Sequence, residues 1–380
     1  MKILIFDPII SGHHLEYLHH LYMMAITRPQ DRFIFVVHPD FETKRSLLEW
    51  PVSDNISFDT VYPIKKEKGT SLFKLLRSSW RLCKILKVYV GKHGVNKVFV
   101  NSIIGFVPFA PLFLREGVSI SGIIYHIYLY KQDHVSKLSK ILDRFKCQVM
   151  ARSKTFGKIF ILNDQDGADV FNREYKCNKF VGLPDPYVPI EVDDTFDFRK
   201  EHSIPPSAKL FAHFGGLAKR KGTLDILKSL KLLDKSSQRN YWFVFAGVIK
   251  DDIKESFYQM YDELKNDCHI IVKDEFCSYE YIASLCMASD AILAPYHQTN
   301  LSSGMFGYAS QFGKPLIAPS QGLIGKIVRQ YNLGLVVDLI DEKSLCETYN
   351  KVTCQNHEVL KDYTVINNVG NFQKLISKHL

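Results

Sequence analysis

Residues 209–227 read KLFAHFGGLAKRKGTLDIL, and this stretch decides the fold. Residues 209–214 form a short, mostly apolar run with no polar side, as a strand covered by helices on both faces requires. Gly215 and Gly216 then permit a tight turn, and three cations follow, Lys219, Arg220 and Lys221. Thr223-Leu224-Asp225-Ile226-Leu227 opens a helix. Strand, glycine turn, cationic loop and helix make the start of a parallel α/β unit, with a loop suited to gripping a phosphate. The plainer alternative for the charge run is a solvated loop.

The same alternation runs in both directions from this segment. Strands are expected at 2–6, 33–38, 56–61, 97–101, 120–125 and 158–163 in the first half. In the second half they are expected at 209–214, 241–246, 268–272, 290–294 and 314–318. Helical stretches such as 222–234, 252–265, 278–288 and 303–312 lie between strands, the pattern of a doubly wound α/β fold. Residues 183–206 hold five prolines and little periodicity, which places a linker at about 184–200. The expected architecture is two Rossmann-like doubly wound domains facing across a cleft, 1–190 and 191–357. Residues 358–380 are expected as a C-terminal helix crossing back to the first domain.

The chain's 380 residues exceed what one core usually organises. At 46% hydrophobic, 23% charged and 13% aromatic, the composition excludes disordered, collagen-like and coiled-coil classes. The net charge of +9 is unevenly spread: residues 1–190 hold 27 basic and 17 acidic side chains, and the rest is close to balanced. The partner of the first half is therefore expected to be anionic. Eight scattered cysteines without a C-x-x-C pair fit reduced thiols rather than a zinc ribbon or disulfide scaffold. The apolar run 103–114 carries Pro108 and Pro111, and its dozen residues fall short of the about 20 a bilayer span needs. The amino-terminal apolar run is too short for a signal peptide.

Residues 300–313, NLSSGMFGYASQFG, follow the 290–294 strand. Ser302, Ser303 and Gly304 are expected at a helix start, where capping hydroxyls and free N–H groups make an anion site. Ser11-Gly12-His13-His14 follows the first strand and reads either as an anion loop or as an ordinary tight turn. It is not a G-x-G-x-x-G dinucleotide fingerprint. His13 and His20 share a helix face but stand about 10.5 Å apart, too far to share a metal. Asp164-Gln165-Asp166 has a cation-binding form, yet it follows a strand where a helix N-cap is wanted. No metal is expected.

Together these segments resemble the GT-B-fold glycosyltransferases, particularly those of the family-4 type. FAHFGGLAKRKGTLDIL is similar to that family's Gly-Arg-Leu…Lys-Gly segment, and SDAILAPYHQTNLSSGMFGYASQFGKPLIAPSQGLIGKIV to its later stretch. The resemblance implies donor-diphosphate binding by Lys219, Arg220, Lys221, Ser302, Ser303, Gly304 and Met305. It implies nucleoside contacts at Lys273, Phe276 and Tyr308, an acceptor-side loop at Gly12 and His13, and catalytic roles for His126 and Lys221. The family's Glu-x7-Glu pair falls on Asn300 and Tyr308, so both carboxylates are replaced, and its phosphate arginine falls on Gly216.

Residues 65–97 contain ten Lys or Arg and one acid, Glu67. Lys74, Arg77, Arg81, Lys84 and Lys87 recur at helical steps, with Leu72, Leu75, Leu76, Trp80, Leu82, Ile85 and Leu86 as the apolar side. A basic amphipathic helix of this kind fits an anionic membrane surface, with Lys74, Arg77, Trp80, Arg81 and Lys84 in contact. Nucleic acid is not expected, because no reader motif is present.

The resulting expectation is a hexosyltransferase-like, metal-independent, cytoplasmic enzyme without cofactor, peripheral on the inner face of the membrane. It would move a sugar, with retention, from a nucleotide-diphosphate donor to a glycan or lipid-linked acceptor in cell-surface polysaccharide or glycolipid assembly. The missing carboxylates motivate one alternative, a non-catalytic GT-B partner subunit, and a sugar-nucleotide epimerase on the same fold is a further one.

Overall fold

The computed structural model describes residues 1–10, 14–61, 71–125, 127–130, 137–192, 196–354 and 359–380. The chain divides into two compact units. The first holds Met1–Leu129, Asp133–Pro186 and Asn367–Leu380, and the second Tyr130–Gln132 and Tyr187–Ile366.

The first unit is built on seven strands: β1 (Lys2–Asp7), β2 (Arg32–Val37), β3 (Ile56–Thr60), β4 (Lys97–Val100), β5 (Ser119–Ile124), β6 (Phe156–Leu162) and β7 (Phe180–Leu183). They pair in parallel in the order β3-β2-β1-β4-β5-β6-β7. Every residue of β1 and β2 after the first is buried, as helical cover on both faces dictates. Phe35, Phe41, Phe58, Tyr22 and Trp50 pack ring on ring beside them, each fully buried ring contributing about 1.5–3 kcal/mol.

The second unit holds β8 (Lys209–Phe214), β9 (Tyr241–Ala246), β10 (His269–Lys273), β11 (Ala291–Leu293), β12 (Leu316–Pro319) and β13 (Gly334–Val337). Their order, β10-β9-β8-β11-β12-β13, repeats that of the first six strands of the other sheet. Phe211 stacks on Phe243 at 5.1 Å and meets Tyr349 at 5.0 Å, and the Tyr349 hydroxyl pairs with Ser229 Oγ at 2.9 Å. At the amino end of β8, Arg199 donates to the carbonyls of Ala288, Pro205 and Ala208 and to Asp290 Oδ2. Asp290 also takes the Leu210 N–H and the Lys209 ammonium. This clamp fixes the segment that leads into β8.

Two strands, β7 and β13, were not expected from sequence. Each has four residues, contains a glycine and lies at a sheet edge, so neither carries a long apolar run. Of the expected helix 358–380, the described residues 359–380 hold two shorter helices. Asp362–Ile366 buries Tyr363 against Phe306 and Tyr331 in the second unit. Val369–His379 packs Phe372 on Tyr17 in the first.

The basic segment forms a helix, Leu72–His93, capped by Ser71 and ended by Gly94 at φ +61°. Its buried face differs from the expected apolar side: it consists of Ser79, Cys83, Leu86, Tyr89 and Val90. Of the seven apolar residues read from sequence only Leu86 is fully buried, and Leu72, Leu75 and Trp80 are exposed. The small residues Ser79 and Cys83 let the helix approach the Phe106 and Val107 carbonyls, which accept their hydrogen bonds. Counting apolar residues alone hides such a face.

Candidate functional site

Open α/β sheets bind ligands outside the carboxyl ends of their strands, where the strand order reverses. In the second unit that reversal lies between β8 and β11, the strands that lead into the two segments singled out from sequence.

After β8 the chain turns at Gly215, φ +86°, and a Cβ added there would stand 3.1 Å from the Lys221 ammonium. Lys221 therefore folds back over the glycine turn, half-buried, with its ammonium 5.6 Å from the centre of the Tyr296 ring. Lys219 and Arg220, the other two expected phosphate cations, are exposed on the same 3-10 turn. The Arg220 carbonyl accepts the His297 N–H at 3.0 Å, which joins the loop after β8 to the loop after β11. Gly222, φ +72°, makes the same joint tighter: a Cβ would stand 2.1 Å from the Pro295 carbonyl oxygen.

A polar relay unforeseen from sequence holds this loop in place. His213 is wholly buried, its Nδ1–H donates to the Leu293 carbonyl at 2.8 Å, and its Nε2 accepts from the Thr223 hydroxyl at 3.0 Å. Thr223 Oγ1 in turn accepts the Ala218 N–H at 3.2 Å. Burial pushes the His213 pKa down to about 3 and the Lys221 charge adds to that, outweighing the opposite pull of the Leu293 carbonyl, so the ring is neutral. The sequence signal was present in FAHF: a histidine inside an otherwise apolar strand. Asp225 on the following helix binds His297 Nε2 at 2.6 Å. Burial acts to raise its carboxyl, but His297 and Lys228 together hold it below the usual carboxylate range.

After β11 the helix Met305–Phe312 begins at Gly304, which is exposed, and the Met305 N–H points to Ser303 Oγ at 3.4 Å. Ser302 and Ser303 are half-buried and Met305 is buried. Thr299 also lies in this loop. Its carbonyl receives the Leu323 N–H at 2.8 Å, and its buried Oγ1 has no hydrogen-bond partner among the described residues.

The expected nucleoside residues divide. Tyr308 is half-buried with its ring edge-on to Phe214 at 5.2 Å and to Tyr187 at 6.0 Å, so the ring packs at the end of β8. Lys273 pairs with Glu275 at 2.8 Å and lies over the Tyr281 ring at 4.6 Å, while Phe276 is 83% exposed. The loop after β10 reaches the glycine turn through one intermediate: the Lys273 carbonyl accepts the Gly247 N–H, and a Cβ on Gly247 would stand 2.1 Å from the Gly215 carbonyl. Lys250, also unforeseen, lays its side-chain stem 3.6 Å from where a Gly216 Cβ would be. It thus brings a cation beside the glycine turn.

In the first unit the order reverses between β1 and β4. Asp7, buried at the end of β1, accepts from His14 Nδ1 at 2.9 Å, from Asn101 Nδ2 at 2.5 Å and from the Ile9 N–H at 3.2 Å. Neither Asp7 nor Asn101 was singled out from sequence. The expected Gly12, His13 and His126 lie outside the described residues. Asp164 takes the N-cap position of the helix Gln165–Tyr175, and its carboxylate lies against Gly167.

On the basic helix Leu72–His93, Arg77 and Lys84 are exposed and Lys74 and Arg81 half-buried. The Lys84 ammonium lies over the Trp80 ring at 5.4 Å, and Phe73 is 73% exposed beside them. Among the described residues no helix is long and apolar enough to cross a membrane.

Residues 194–363 match the family model of glycosyl transferases group 1. No curated protein sequence matches the chain. Among solved structures, the chain is similar to sucrose-phosphate synthase from Thermosynechococcus elongatus (13% identity, TM-score 0.72, covering 99% of this chain and 97% of that one). It is also similar to Anabaena HepE in complex with UDP and glucose (14%, 0.68, 100% and 98%). A third similar structure is WaaG, a glycosyltransferase involved in lipopolysaccharide biosynthesis (14%, 0.62, 99% and 95%). Two sheets of one strand order and the likeness along the whole chain lead to one identification: the protein has the GT-B fold, and residues 194–363 match the glycosyl transferases group 1 model.

Proposed function

We propose that the protein is a glycosyltransferase that moves a sugar from a nucleotide-diphosphate donor to a glycan or lipid-linked acceptor, with retention. The observation that carries this reading is the Lys221 ammonium folded over the Gly215 turn, where the sheet of the second unit reverses. A glycine turn lets a phosphate approach the backbone, and the cation offsets the charge that develops on the leaving diphosphate. The helix start at Ser303-Gly304 supplies further N–H groups. Lys219 and Arg220, exposed on the same turn, would meet the diphosphate from outside, and Phe276 would lie against the base.

HepE is a structural neighbour that binds UDP and glucose, which supports a uridine nucleotide as the first donor to test. The acceptor is read from charge. Phe73, Leu75 and Trp80 are exposed among Lys74, Arg77, Arg81 and Lys84, a surface suited to an anionic lipid layer that presents a lipid-linked acceptor. A cytoplasmic enzyme on the inner membrane face, working in polysaccharide or glycolipid assembly without a metal, fits this reading.

The replacement of both family carboxylates favours a second reading, a GT-B subunit that binds without turnover. Asn300 is buried, and Tyr308 spends its ring on Phe214 and Tyr187. One assay separates the readings: incubation with a panel of nucleotide sugars, with and without a lipid-linked acceptor, following nucleotide release. Release that requires acceptor, with the product's anomeric configuration matching the donor's, is the expected result. Binding without release supports the non-catalytic subunit, and an epimerised sugar supports an epimerase. Failure to bind any nucleotide sugar at millimolar concentration removes the donor site altogether.

A further inference from the structure

A polar cavity lies at the end of the first unit's sheet where β4, β5 and β6 begin. Its volume is about 270 Å³, just below the range of about 300–1,000 Å³ that holds drug-sized ligands. Ser119, Ser121, Gly157, Lys158, Lys179 and His379 line it.

The cavity exists because the pairing of β5 with β6 is irregular. Ile120 pairs with Phe156 but Gly122 pairs with Ile159, so Gly157 and Lys158 together oppose the single residue Ser121. This bulge, uncommon in a parallel pair, turns the Lys158 N–H onto Ser121 Oγ at 3.0 Å. Gly157 keeps the space open. A Cβ there would stand 2.6 Å from Ser119 Oγ and 2.7 Å from Ser121 Oγ.

The lining is cationic. The Lys158 ammonium donates to the Asn178 carbonyl at 2.7 Å, and the Lys179 ammonium to the Met150 and Ser153 carbonyls at 3.2 and 2.6 Å. Lys97, also on the wall, is taken by the main-chain oxygen of Leu380. The carbonyls that meet Lys158 and Lys179 satisfy hydrogen bonds without cancelling charge. Burial lowers the Lys179 pKa against the pull of Cys177, and burial with the charges of Lys158 and Lys378 lowers that of His379.

We propose that this cavity binds a phosphate group, free or as a small phosphomonoester, through Lys158, Lys179, His379 and the Ser119 hydroxyl. The site is independent of the donor reading, since none of its residues belongs to the second unit. Charge-assisted hydrogen bonds to a phosphate are the strong ones, and the half-buried Lys158 and Lys179 would gain them.

The test follows the His379 ring resonances of the full chain while inorganic phosphate, and separately glycerol 3-phosphate, is added at constant pH and at ionic strength held with chloride. A saturable shift is expected in the unaltered protein and equally in Lys221→Ala, which disables only the donor site. Lys158→Ala should move the midpoint at least tenfold higher, and Gly157→Ala, which fills the space, should abolish it. Saturation by inorganic phosphate alone identifies the free ion, and saturation by the ester identifies a phosphomonoester. A shift reproduced by chloride, no saturation in the unaltered protein, or loss of the shift in Lys221→Ala overturns the proposal. These readouts need only folded protein, so instability of the cavity variants leaves the proposal falsifiable.

Discussion

Where strand order reverses in the first unit, between β1 and β4, the sheet ends on the buried Asp7 carboxylate, bound by His14 and Asn101. Where it reverses in the second, between β8 and β11, the sheet ends on a glycine turn covered by the Lys221 ammonium. The topology is the same and the local charge is opposite. The bulk charges run the other way: residues 1–190 hold the positive surplus, and the remainder of the chain is nearly balanced. A half's net charge therefore describes its outer surface, and the residues at the strand ends describe its ligand. A cation over glycines suits a diphosphate, and a carboxylate with a histidine suits hydroxyl groups.

The largest effect expected from this contrast is at Lys221. Lys221→Ala should lower kcat/KM for sugar transfer by about 10²–10³, the scale for losing one stabiliser of developing charge. Steady-state kinetics with the best donor of the panel checks it. An unchanged value would detach the cation from the chemistry and leave the two strand reversals without a functional contrast.

Acid should act on both units, to different depths. Burial, with the charge of His19 and against that of Glu16, pushes the His20 pKa down to about 4 in the first unit. His213 is pushed to about 3 in the second. An unfolded histidine titrates near 6.5, so in each case unfolding takes up a proton below that pH. Stability is fully present above pH 6.5. It should be lost at a slope on the order of 1 kcal/mol per pH unit, down to about pH 4 in the first unit and about pH 3 in the second. Hydrogen exchange resolved by unit can read this, and His213→Gln should flatten the second profile and leave the first alone. Equal slopes in that variant and the parent would contradict a neutral His213.

Asp7→Asn should cost the first unit about 2 kcal/mol, because His14 and Asn101 lose a charged acceptor. Nucleotide affinity should be unchanged, which calorimetry with UDP can verify. The smallest effect is at Lys250, where the exposed cation beside Gly216 should give a two- to fivefold loss of donor affinity in Lys250→Ala, within about 1 kcal/mol. A larger loss would make Lys250 the working substitute for the missing arginine.

Eleven strands and the glycine–lysine loop were legible because each is a local pattern: a short apolar run, or glycines beside cations. What escaped the reading is non-local. Asp7 and Asn101 lie 94 positions apart and mean nothing until β1 and β4 pair. His213 looked like one polar residue in a strand, and its partners Leu293 and Thr223 come from a neighbouring strand and a helix start. The buried face of Leu72–His93 was misread because Ser79 and Cys83, which lie against the Phe106–Val107 backbone, are neither large nor strongly apolar. The bulge at Gly157 exists only in the pairing of two strands.

The clamp at Arg199 has a mechanical meaning. One guanidinium gathers the carbonyls of Ala288, Pro205 and Ala208 with the Asp290 carboxylate at the amino end of β8. Lys221 lies beyond the other end of that strand. The turn that carries Pro205 before β8 is thereby tied to the backbone around Asp290. The carboxyl end of β8 meets the proline-rich segment before it by a different route, Tyr187 against Tyr308 and Tyr308 against Phe214, so the same segment is anchored at both ends of the strand.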